Sequence, residues 1–501
     1  MVERLTTPWG VLILGIILTL WARWIFTIPH LWVGDDTGTY LTTMNFVLGT
    51  DNTGVGGSRP PLIGYLLVPF VTVFGTLTGA KVLALLASVA GAVPFFLLTR
   101  RIVPPYLASI GSLVYTWWVF ADPLAFGFLT LLVLAVVLLG CWAFLRFSDK
   151  PTLDRAVTAS AIISLVPNLN QTAIIPYLAL LGLFTVYLGV KDFPKYWRGL
   201  LVLGVMGVIL SLGSLPYSQT TASVFLTGEA VMAEKLVVFR DPMGLVMVVV
   251  LIPLFLWTGK RIGGANGAMI ACGGIASVVL QSLTTPSNIG LMTVLGRNVF
   301  WMWTWMLVMA VWWTGQFVKK RWVRENPASE YVLGALAVGV LVALFISWSA
   351  QFQLSAKNEA MLSHDSLKAL EWLDENTASN EVIATHPLIV SFAVNGLINR
   401  QTITTAPSNE GIVNKPCLSG WMDTCSFNPS SEPDWGLALS TAQAVEDKAI
   451  RCTLGLKHRG GACKSDIGHL GIRYVMTPTY HPDLPQAFST ASMYVYEVAP
   501  K

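Results

Sequence analysis

Charge is scarce in this sequence. Asp, Glu, Lys and Arg make up 12% of its 501 residues, where an ordinary soluble domain carries about 25%. Apolar residues supply 54%, with 19 Trp and 23 Phe among them, and no soluble fold has a core large enough to hide them. A wholly water-soluble protein is therefore excluded. A basic tract is missing as well. The net charge of +4 is small and scattered, which argues against nucleic acid as a partner. No small-residue cleavage site follows the first apolar segment, Trp9 to Ile28, and the segment is longer than a signal-peptide core. It is expected to remain as an anchor in a polytopic membrane protein.

Apolar runs stop near residue 351. The sequence predicts a membrane domain over 1–350 and a water-soluble α/β domain over 351–501. Spans are expected near 9–28, 82–99, 106–121, 124–145, 155–167, 173–190, 199–216, 242–258, 264–283, 298–318 and 330–350, eleven in all. Lys and Arg gather on the cytoplasmic side of membrane proteins. Lys319, Lys320, Arg321 and Arg324 form the densest cluster and place their loop inside. Lys260-Arg261, then Lys191, Lys195 and Arg198, then Arg146, Lys150 and Arg155, then Arg100-Arg101 agree with that assignment. The run at 62–79 decides the parity. It carries Pro60, Pro61 and Pro69 around Gly64 and Gly75, which suits a bent juxtamembrane piece better than a straight span. With that piece on the outer face, the N-terminus is cytoplasmic and the C-terminal domain extracytoplasmic.

The outer loop 29–81 then holds Asp35, Asp36, Tyr40, Arg59 and Lys81. Asp122 lies in a short second loop, Phe120 to Pro123, and Glu229, Glu234, Lys235 and Arg240 lie in the loop 217–241. Arg297 closes a further outer loop that starts near Thr284. Of six cysteines, Cys141 and Cys272 fall inside spans, whereas Cys417, Cys425, Cys452 and Cys463 belong to the outer domain. Four cysteines in an oxidising compartment are expected as disulfides, with three connectivities open; pairing of neighbours is the simplest. Zinc is the rival reading, though no Cys-x-x-Cys spacing occurs. The C-terminal region predicts an amphipathic helix from Asp365 to Asn376 and strands at 381–385, 472–476 and 492–498, with a short helix from Pro387. It contains neither a Gly-rich phosphate loop nor a nucleophile elbow.

Each candidate has two readings. Asp36 can cap a helix running from Thr37 to Leu48, or take a proton from an attacking hydroxyl as general base. Arg59 can be a snorkelling side chain pinned by prolines, or a clamp on a phosphate, which the guanidinium fork suits. Asp122 is either a polar loop residue or a second acid facing the first loop. The stretch Asn168-Leu169-Asn170-Gln171 is either a turn or a binder of sugar hydroxyls.

The order of a span, Gly34-Asp35-Asp36-Thr37-Gly38-Thr39-Tyr40-Leu41, Gly49-Thr50-Asp51 and then Arg59-Pro60-Pro61-Leu62 resembles the first outer loop of GT-C membrane glycosyltransferases. It is most similar to the branch of protein O-mannosyltransferases and lipid A aminoarabinose transferases. Residues 9–130 carry most of the likeness. The resemblance implies a polytopic helical fold of about eleven spans plus juxtamembrane helices, followed by an outer soluble domain. It also implies an inverting transferase using a polyprenyl-phosphate-linked sugar; the moderate length and the lack of organelle signals point to the plasma membrane of a bacterium or archaeon. The acceptor hydroxyl, on protein, lipid or glycan, is left open. Asp36, four residues before Tyr40, takes the general-base role, with Asp35 as second choice; Arg59 takes the phosphate-clamp role. Arg240 and Arg297 are candidates for the phosphate by location alone. Oligosaccharyltransferases of the same superfamily carry a Trp-Trp-Asp signature and use a divalent metal. That signature is absent here and no metal ligand is assigned, so a metal shared by Asp36 and Asp122 stands as the alternative enzyme. A transporter or flippase is the rival outside enzymology. It would show internal repeats and mid-membrane ionisable residues.

Overall fold

The computed structural model describes residues 7–27, 37–51, 61–118, 129–169, 174–212, 242–282, 298–321, 364–379, 381–385, 394, 397–406, 415–418, 472–477, 480 and 485–497. By contacts the chain divides into two compact units, one of Met1–Thr27 with Ala84–Leu354 and one of Ile28–Leu83 with Ser355–Lys501.

The first unit is helical throughout its described length. It contains α1 (Pro8–Thr27), the second half of α4 (Thr76–Ala90), α5 (Ala92–Thr99), α6 (Pro105–Trp118), α7 (Leu129–Asp149), α8 (Leu153–Leu169), α9 (Ile174–Ser211), α10 (Pro242–Ile262), α11 (Gly264–Ser282) and α12 (Asn298–Arg321). Apolar segments without water must satisfy backbone polar groups internally, and a helix does so within one segment. Among the described residues three segments, Thr76–Thr99, Leu129–Asp149 and Tyr177–Ser211, are long and apolar enough to cross a bilayer. Hydroxyls inside the helices follow the same rule: Thr19 donates to the Gly15 carbonyl, Ser112 to that of Ala108 and Ser277 to that of Gly273.

Two helix boundaries differ from expectation. The run expected as one span at 82–99 reaches back to Thr76 and is interrupted at Gly91, so it forms α4 and α5. The loop expected between 190 and 199 is instead one residue of non-helical backbone inside α9, Asp192. Its carboxylate accepts from the Lys195 amide at 3.3 Å, a helix N-cap, and Pro194 follows at a position where no amide is needed. Both halves of α9 meet α7: Phe184 lies 5.0 Å from Phe144, and Tyr196 donates to the Ser148 carbonyl at 3.0 Å. In the second half the Leu203 and Leu210 carbonyls also accept from Ser160 and Asn168 of α8. Helices α10 and α11 form a hairpin turned by Gly263 and Gly264, both at positive φ (75° and 57°). A Cβ on Gly259 would lie 2.6 Å from the Gly267 carbonyl, so the glycines permit the close approach.

The second unit holds α2 (Thr37–Val47), α3 (Leu62–Phe74), α13 (His364–Asn376) and a six-stranded sheet. Its strands are β1 (Val382–Thr385), β2 (Gln401–Ala406), β3 (Lys415–Leu418), β4 (Ile472–Thr477), β5 (Gln486–Ser489) and β6 (Tyr494–Glu497), in the order β3-β2-β1-β4-β6-β5. β1 lies parallel to both β2 and β4; the outer pairs are antiparallel. Ile383, Val475, Val495 and Tyr496 are buried, and Trp372 of α13 stacks on Phe488 with ring centroids 5.6 Å apart. The helix and three strands read from the sequence are present. β2, β3 and β5 are additional, and the short helix expected from Pro387 lies outside the described residues.

Candidate functional site

The described part of the first loop is a helical pair. α2 begins at Thr37, directly after Asp36, and ends at Val47, one residue short of the expected end. Its buried face is nearly continuous, from Tyr40 (0% exposed) through Leu41, Thr42, Thr43 and Met44. α3 crosses it closely. A Cβ on Gly64 would lie 2.8 Å from the Thr43 carbonyl, so the backbones meet only because residue 64 has no side chain. α3 has 13 residues and contains Pro69, which gives about 20 Å of helix against the about 30 Å of a bilayer core. It stops at Gly75 (φ 79°), and α4 starts one residue later. Lys81, on α4, is 8% exposed.

The end of α2 is tied to the sheet domain within the same unit. Gly49 (φ 70°) lets the chain leave the helix, and the Thr50 amide donates back to the Asn45 carbonyl at 2.8 Å. The Thr50 carbonyl in turn accepts from the Asn399 side-chain amide at 2.6 Å. Asn399 precedes β2 and has φ 53°, alone among the described non-glycine residues in being left-handed.

Of the residues assigned catalytic or binding roles from the sequence, the structure describes Tyr40 and buries it fully on α2. Asp35, Asp36, Arg59, Asp122, Arg240 and Arg297 lie outside the described residues, as do Cys425, Cys452 and Cys463; Cys417 is described only as backbone in β3. Cys141 is a buried free thiol and Cys272 a half-buried one. Asn168 donates to the Ser164 and Leu210 carbonyls at 2.7 and 3.1 Å, so its amide joins α8 to α9, and the sugar-binding reading is left to Asn170 and Gln171, outside the described residues. Among the described residues no group of three or more His, Cys, Asp or Glu could hold a metal ion. The acids that would hold one, Asp36 and Asp122, are not among them.

One residue was missed in the sequence. Arg23 sits near the end of α1 and is 1% exposed. Nη1 donates to the Ser88 carbonyl at 3.0 Å and Nη2 to the Thr116 carbonyl at 2.6 Å, and the guanidinium lies 5.8 Å from the centre of the Trp117 ring. The signal that could have found it was a lone cation in an apolar span, since ionisable residues there are costly and serve a purpose.

The helical unit and the unit with the mixed sheet can be compared with solved structures. No family model matches the sequence, nor does any curated protein. ArnT from Cupriavidus metallidurans in the apo state, a lipid A aminoarabinose transferase, is similar over 98% of this chain and 98% of its own, at 12% identity and a TM-score of 0.56. The Archaeoglobus fulgidus oligosaccharyltransferase in the apo form is similar over 93% of this chain and 69% of its own, at 12% identity and a TM-score of 0.50. The chain shares the fold of these two proteins, and among its described residues three helices are long and apolar enough to cross a membrane.

Proposed function

We propose that this protein is an inverting membrane glycosyltransferase that moves a sugar from a polyprenyl phosphate to a hydroxyl acceptor outside the cytoplasm. The observation that carries the reading is the GT-C fold, matched over 98% of the chain by a lipid A aminoarabinose transferase. The Asp-Asp-Thr…Tyr and Arg-Pro-Pro segments follow in the order of a GT-C first loop. Placement of α2, α3 and the C-terminal sheet in one compact unit supports an extracytoplasmic C-terminal domain beside that loop, in a multi-pass plasma membrane protein.

In this reading the acceptor oxygen bonds to the anomeric carbon, the bond from that carbon to the phosphate oxygen breaks, and the hydroxyl proton passes to Asp36. The leaving polyprenyl phosphate departs as an anion, which Arg59 neutralises. One displacement inverts the configuration, and the lipid tail stays in the bilayer throughout. No metal enters these steps.

The test is transfer of labelled mannose, glucose or aminoarabinose from polyprenyl-phosphate donors in membranes holding wild type or Asp36→Asn, with and without chelator. Turnover reduced in the variant by about 10²–10⁴-fold and indifferent to chelator is the expected result. Loss to chelator as well would move the reaction to the metal-dependent reading. Equal turnover in the variant removes Asp36 from the chemistry, and no turnover with any donor removes the glycosyltransferase reading.

A further inference from the structure

We infer that Arg23 is a positioning residue: it locks α1 to α4 and α6, and α1 and α6 are the helices that precede the two acid-bearing segments in the chain. The inference rests on the glycosyltransferase reading for what those acids do, but the lock itself is a property of the helices. α1 is described as far as Thr27, ahead of Asp35 and Asp36 in the sequence, and α6 as far as Trp118, ahead of Asp122. Arg23 stands four residues before Thr27 and Thr116 two residues before Trp118.

Burying a guanidinium among apolar helices costs several kcal/mol of lost hydration unless its donors are well placed. Here they are. Ser88 lies on α4 and Thr116 on α6, and a backbone carbonyl has a second lone pair to offer beside any intrahelical bond. One planar fork thus meets carbonyls on two helices, at 3.0 and 2.6 Å, and the Trp117 ring adds a cation–π contact. A lysine ammonium is a single point on a flexible stem and cannot bridge two carbonyls in this way. The demand is thus for the shape of arginine and not only for its charge. The group is 1% exposed and both of its Nη atoms lie on backbone carbonyls. A charge this costly would be replaceable by an apolar residue if it served packing alone.

The test uses the full chain in lipid nanodiscs as wild type, Arg23→Lys and Arg23→Met, with two readouts. Amide hydrogen exchange in peptides covering 19–27 and 112–118 is expected to rise by about tenfold or more in both variants, with α7, α10 and α11 unchanged. Turnover of the donor that wild type accepts is expected to fall by about a hundredfold in kcat, as a misplaced catalytic group would give, while KM stays within about twofold. Unchanged exchange in both peptides overturns the lock. Full kcat in Arg23→Lys overturns the shape requirement and leaves charge alone. Exchange rising in every helix together makes Arg23 a residue of general stability and overturns the positioning role. If wild type turns over no donor, the glycosyltransferase reading fails by itself, and exchange still decides whether Arg23 holds the helices together.

Discussion

At Gly267 a single methyl group decides whether two helices can meet. The site where its Cβ would stand is taken by the Gly259 backbone across the α10–α11 hairpin. Backbone on both sides leaves nothing flexible to yield, so Gly267→Ala is expected to lower stability by about 1–3 kcal/mol, the usual cost of overpacking. Gly182 in α9 has nothing within 4 Å of its Cβ position. Gly182→Ala should be neutral, or stabilise by up to about 1 kcal/mol through better helix propensity. Thermal unfolding of the two variants in one detergent checks the pair, and equal shifts would refute the close-approach account. At this scale the sequence showed residue types but not their neighbours. Arg23 is visible as a letter in an apolar run, yet nothing nearby in the chain announces Ser88 or Thr116, 65 and 93 positions away.

Elements carry a second kind of constraint, exemplified by the contact between Asn399 and the end of α2. Asn399 contributes an amide that reaches the Thr50 carbonyl and a left-handed backbone that asparagine tolerates well. The two contributions separate by mutation. Asn399→Gly keeps the backbone and loses the amide, for about 0.5–1.5 kcal/mol. Asn399→Ala loses both and is expected to cost about 1–2 kcal/mol more. Chemical denaturation of the two variants measures the difference, and an alanine variant as stable as the glycine one would show that the left-handed conformation is not held. The kink in α9 is the other instructive element. From composition, Lys191 to Arg198 looks like a polar loop, and the structure makes it helix on both sides of Asp192. An N-cap and a proline turn the chain within one residue, so the charges sit on helical turns and stack on aromatic rings: Lys191 over Tyr187, Lys195 over Tyr196 and Arg198 over Trp197.

For the whole molecule the open question is which side of the membrane each part occupies. With the C-terminal domain outside, a membrane-impermeant protease is expected to cut it from intact cells while the loop at Lys260-Arg261 is cut only after lysis. The reverse pattern would invert the topology. If the four C-terminal cysteines are paired, thiol labelling of the denatured, unreduced chain should modify Cys141 and Cys272 and no other residue. Labelling at Cys417, Cys425, Cys452 or Cys463 would count against the disulfides.

The class of the protein, the position of nearly every described helix and the α/β character of the C-terminal region were legible in the sequence. Each depends on local physics: apolar runs must become helices in lipid, and amphipathic or β-branched segments must turn one face inward. The six-stranded order, with β1 placed between β2 and β4, was not legible, because strands of three or four apolar residues give no register, β2 is mostly Gln and Thr, and β3 and β5 have four residues each. Nor was the grouping of residues 28–83 with 355–501 into one unit. Contacts such as Thr50 with Asn399, 349 positions apart, exist only once the chain has folded back on itself. The buried Arg23 belongs with them. Its presence is a fact of sequence, but the Ser88 and Thr116 carbonyls that hold it are brought to it only by tertiary structure.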